Sequence, residues 1–124
     1  MTDARRESGP RRYGPALEKA YGFLTWLIPT LEKFPRSQRF LLGDRIESAA
    51  LDVLEGLIEA TYTRDRIQLL NTVNLRIEKL RFLIRLSLDL RYLDPRRYEH
   101  AARALDEIGR LVGAWRKGKD AEAP

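Results

Sequence analysis

Apolar residues recur along most of the chain at spacings of three and four, the periodicity of helices with a buried face. The longest such run is IQLLNTVNLRIEKLRFLIRLSLDLRYL, residues 67–93, where fifteen of twenty-seven positions are apolar and neither Gly nor Pro occurs. Leu69, Leu70, Val73, Ile77, Leu80, Ile84 and Leu88 share one face. Leu75, Phe82, Leu83, Leu86, Leu90 and Leu93 fall on a second, nearly opposite face, with a polar stripe of Asn74, Glu78, Arg81, Arg85 and Asp89 between them. A helix in a small monomeric bundle needs one buried face. Two such faces predict that one packs into its own bundle and the other against another copy. The alternative is a deeply buried central helix in an irregular monomer.

Three further helices flank this run. Pro15 suits a first helical position, and a helix is predicted over 16–34 with Leu17, Tyr21, Leu24, Ile28 and Leu31 on one side and Trp26 and Leu27 widening the surface. Pro29 should kink it near Thr25, and Pro35 should end it. A second helix is predicted from Ser37 or Gln38 to Ala60, its buried face drawn from Leu42, Ile46, Ala49, Ala50, Val53, Leu54 and Leu57, its solvated side acidic. Thr63 is a candidate N-cap for the central helix. Asp94-Pro95 is the clearest helix start, and the last helix runs to about Lys117 with Gly118 as its stop. Gly109 and Gly113 predict close approach of a neighbour. Short links between four helices imply an all-α, antiparallel up-down-up-down four-helix bundle over 15–118, preceded by a flexible basic arm (1–14) and followed by a disordered tail (119–124).

Composition narrows the function classes. Of 124 residues none is Cys, which removes disulfides, thiol catalysis and thiolate metal sites and fits a reducing, cytoplasmic setting. No apolar stretch approaches a bilayer span, and the first residues lack the apolar core of a secretory signal. The net charge is +5, and its distribution says more than the sum. Residues 63–98 carry nine Lys/Arg against four Asp/Glu, whereas 37–62 carry two against five. Such segregation can build a phosphate-attracting surface. One His, His100, cannot supply a Ser-His-Asp set or the paired Glu-x-x-His of bundle di-iron sites, and there is no P-loop or GxGxxG. No catalytic residue, cofactor or metal ligand is expected.

The segments FPRSQRFLLGDRI (34–46), LRFLIRLSLDLRYLDPRRYEH (80–100) and LDEIGRLVGAW (105–115), in this order and spacing, resemble a four-helix-bundle family. That family includes the accessory variability determinant, Avd, of diversity-generating retroelements and the proteins encoded in intervening sequences of bacterial large-subunit rRNA genes. The resemblance implies a homopentamer forming a positively charged barrel. In the retroelement, such an assembly binds the reverse transcriptase and nucleic acid and supports mutagenic copying of template RNA into cDNA, with no catalysis by the bundle. The matching cations are Arg36 and Arg39 in FPRSQR, Arg81 and Arg85 in LRFLIRL, and Arg96 and Arg97 in DPRRYEH. The rRNA intervening-sequence branch is the alternative within the family, and a protein-binding scaffold with no nucleic-acid role is the alternative outside it.

The bland reading of each cation stays open beside this one. Glu78 and Asp89 stand at helical spacing from Arg81 and Arg85, where intrahelical pairs contribute about 0.2–0.5 kcal/mol each. Arg36 and Arg39 sit where a helix begins, a place that favours anions, or are solvated turn residues. Arg5, Arg6, Arg11 and Arg12 are either a nucleic-acid-seeking arm or a solubilising tail.

Overall fold

A computed structural model describes residues 3–118, with side chains from Tyr13 onward. The expected tail over 119–124, and the side chains of the basic arm, lie outside the described residues. Four long helices carry the fold: α1 (Asp3–Leu31), α3 (Asp44–Thr61), α4 (Ile67–Asp89) and α5 (Pro95–Arg116). A single helical turn, α2 (Arg36–Gln38), and one turn of π-helix, Arg39–Gly43, join α1 to α3. The extensive contacts run α1 to α3, α3 to α4, α4 to α5 and α5 back to α1, so α4 stands diagonal to α1 across a square.

The core follows from which residues are small or aliphatic at helical spacing. Leu27, Ile46, Leu57, Leu70, Ile77, Leu80, Ile84, Leu105 and Ile108 are its largest fully buried side chains. On α1 the buried stripe is Ala16, Leu17, Ala20, Phe23, Leu24, Leu27 and Leu31. Tyr21, expected inward, is 61% exposed. The stripe runs through Ala16 and Ala20 instead, whose small side chains let neighbouring backbones approach. On α3, Gly56 has the same use: a Cβ there would fall 2.6 Å from Val73 Cγ2 on α4.

Helix ends show where local chemistry was read correctly and where it was not. The backbone before the bundle is helical from Asp3 and breaks at Gly14 (φ 77°, ψ 164°), so the segment expected as a flexible arm is set off at the residue before Pro15. Helical dihedrals continue through Thr25 and Pro29. Thr63 is not an N-cap: its hydroxyl donates to Glu59 O at 2.7 Å, and α4 begins after Arg66 with no side-chain cap. Asp94 does cap α5, accepting from the Arg97 N–H at 2.8 Å, with Pro95 at the first position.

Candidate nucleic-acid interface

Of the six arginines expected at an anionic surface, three have carboxylate partners. Arg39 pairs with Glu32 across the α1–α3 turn at 3.2 Å. Arg97 pairs with its own cap, Asp94. Arg81 is held hardest. It lies between Glu78 on its own helix (Nε–Oε2 3.1 Å) and Asp106 on α5, a short contact, and its guanidinium is only partly exposed. The Nε–Glu78 approach is an ion pair by distance but is not aligned as a hydrogen bond. Gly109 makes room for it, since a Cβ there would stand 2.9 Å from Arg81 Nη2. Gly113, expected to serve a close contact, has open space around its Cβ position.

The side chains of Arg36, Arg85 and Arg96 are exposed and make no ion pair or hydrogen bond among the described residues. Arg36 and Arg96 belong to the same end of the bundle, where the Phe34 and Tyr92 rings meet at 5.9 Å. Arg85 lies on α4 one turn beyond Arg81, so the expected pair is divided: one guanidinium is a latch between helices and the other is free.

Two cations at this end escaped the sequence reading. Lys33 and Arg91 line a recess of about 540 Å³ with Thr30, Leu88, Tyr92, Arg97 and the acidic Asp94. Neither has a carboxylate partner among the described residues. Among the described residues, Arg91 is the non-glycine residue of positive φ (66°). It closes α4 as a left-handed cap, with Tyr92 N–H donating to Ser87 O and Arg91 N–H to Leu88 O, both at 2.9 Å. Gly or Asn usually fills such a position because a side chain there is strained. A sequence scan for Gly or Asn at helix ends passes over an arginine. An arginine carried at that cost is a candidate for function.

Asp94 also sets a pH dependence. The backbone N–H of Arg97 holds its carboxyl below the ordinary 3.8, partial desolvation opposes this, and the Arg97 charge adds to it. A carboxylate whose folded pKa lies below its unfolded value stabilises the fold above the unfolded value. That contribution is lost as pH falls through the folded one. Thermal melts taken from neutral pH into the acid range should therefore fall more for the wild-type chain than for Asp94→Asn, which keeps a cap acceptor without the charge. Parallel acid profiles would contradict this.

The apolar residues expected at a seam divide as well. Leu75, Phe82, Leu86 and Leu90 stand exposed along the outer face of α4, Phe82 at 63%. Leu83 is half-buried against the core. Leu93 is a correction: at 4% exposure it belongs to its own chain's core. The helix ends at Asp89, and the left-handed turn at Arg91 carries Leu93 off the helical period that placed it on the outer face. His100 lies against the Trp26 ring, centroids 4.3 Å apart. Among the described residues, no group of three or more His, Asp or Glu could hold a metal ion, and no helix is long and apolar enough to cross a membrane.

Compared with known proteins, the chain matches a family model described as bAvd-like over residues 16–118, which takes in α1 from Ala16 onward and all of α3, α4 and α5. Among curated proteins none matches it.

Proposed function

The chain belongs to the bAvd-like family, and from this we propose that it is a non-catalytic, cytoplasmic accessory protein of a diversity-generating retroelement. In this reading it assembles as a homo-oligomer, a pentamer by family resemblance, and binds the reverse transcriptase together with template RNA or cDNA. In this reading the bundle is antiparallel, up-down-up-down, and one helix pair supports it. Arg81 meets Asp106 and Asn71 meets Arg116, so residue numbers rise on α4 as they fall on α5.

The observation that carries the nucleic-acid reading is the set of unpartnered cations towards one end of the bundle: Lys33, Arg36, Arg85, Arg91 and Arg96. Cations already neutralised within the chain add little to phosphate binding, so Arg39, Arg81 and Arg97 act mainly by fixing helix ends and the α4–α5 contact. Contacts of this kind neutralise phosphates without reading bases. Binding should be tolerant of sequence and steeply dependent on salt.

The test is a competition binding assay with RNA, single-stranded DNA and duplex across a salt series, beside a mass measurement by light scattering. Expected are binding to a polyanion with a steep log–log salt slope, and a mass several times that of one chain. No binding at low salt would overturn the nucleic-acid reading. It would leave a protein-binding scaffold, which the carboxylate pairing of half the expected arginines favours.

A further inference from the structure

Two apolar surfaces of the bundle stand uncovered among the described residues, and they differ in shape. One is a ridge: Leu75, Phe82, Leu86 and Leu90 on the outer face of α4. The other is a groove of about 380 Å³ between α1 and α3, lined by Tyr21, Leu24, Ile28, Pro29, Leu51 and Leu54. Ile58, one turn beyond Leu54, is also exposed. Because α4 stands diagonal to α1, ridge and groove open on different sides of the molecule, and no chain can fill its own groove with its own ridge.

We propose that the α4 ridge of one copy lies in the α1/α3 groove of the next, a head-to-tail contact. This deepens the reading of self-assembly given above and rests on it. Ridge against ridge about a twofold axis would close a dimer and leave every groove bare. Ridge into groove covers both surfaces on each copy, and such heterologous contacts close only as rings.

Charge agrees with the pairing. Lys79 lies within the ridge, four residues after Leu75 and three before Phe82. Glu47 and Glu55 flank Leu51 of the groove at four residues on either side. None of the three has an ion-pair partner among the described residues. Glu78 and Asp89 border the other flank of the ridge, so the attraction is directed to the Lys79 side. Length agrees too. The ridge extends about 22 Å from Leu75 to Leu90 at the helical rise. The groove side continues from Ile58 and Tyr21 towards the π turn, where Phe40 is exposed beside Glu47 and the paired Arg39 and Glu32.

The chain has no cysteine, so site-specific cross-linking needs no background removal. Leu86→Cys places a thiol on the ridge; Leu54→Cys and, as a second position less prone to disturb packing, Thr25→Cys place one in the groove. A short bismaleimide should leave each single variant uncross-linked. Co-expressed ridge and groove variants should give covalent dimers. The double variant should give a ladder whose highest band counts the subunits of the ring. Cross-linking of Leu86→Cys with itself would overturn the proposal in favour of a twofold pair. Absence of any cross-link in the double variants, while light scattering still shows an assembled mass, would overturn this pairing but not assembly. A single-chain mass would sink both.

Discussion

Replacing Arg36, Arg85 and Arg96 together by alanine should weaken binding to single-stranded nucleic acid by roughly ten- to a hundredfold at physiological salt. It should also flatten the log–log salt dependence by about 2, each lost phosphate contact removing about 0.7 on single strands. None of the three side chains has an ion-pair or hydrogen-bond partner among the described residues, so melting temperature and mass should not change. Arg81→Ala makes the contrast. It strands Asp106 and Glu78 and should lower stability with little change in the salt slope. An unaltered slope in the triple variant, or a slope that follows Arg81 instead, would remove these cations from the interface.

The second large effect is on the fold. Gly56→Ala should destabilise the chain by about 1–2 kcal/mol in chemical denaturation, although alanine is the better helix former by about 1 kcal/mol. The new methyl would stand 2.6 Å from Val73 Cγ2, and Val73 is buried and β-branched, with one favoured rotamer in a helix. It cannot swing aside, so α3 and α4 must separate, and overpacking of that kind costs about 1–3 kcal/mol. Gly113→Ala, where nothing stands near the added methyl, should instead gain up to about 1 kcal/mol. In a Val73→Ala background the Gly56→Ala penalty should vanish, a non-additivity expected of residues in contact. Equal stability of Gly56→Ala and Gly113→Ala would show that the close approach is not real.

The four-helix architecture was legible because it is written in periodicity. The buried set on α4, Leu70, Val73, Ile77, Leu80 and Ile84, is the one its spacing selects, and the Asp94-Pro95 start is fixed by local chemistry. What spacing could not show was anything decided by contacts between helices. Two glycines one turn apart look alike in sequence, yet only Gly109 faces another side chain, while Gly56, standing alone in its helix, marks the tightest approach. The pairing of Arg81 with Asp106 joins residues on different helices, so intrahelical arithmetic offered Glu78 and missed the interhelical partner. Leu93 and Tyr21 were misplaced for a related reason: a helical wheel assumes that the helix continues and that its widest apolar arc is the buried one. The left-handed turn at Arg91 ends the first assumption, and the alanines of α1 defeat the second.

Gly109 and Arg81 also tie two distant points of the gene together. The guanidinium occupies volume that any β-carbon at position 109 would crowd. Drift at the two codons is therefore not independent. A lineage that acquires a side chain at 109 must shift the end of the Arg81 side chain, and with it the geometry of the strut from α4 to Asp106.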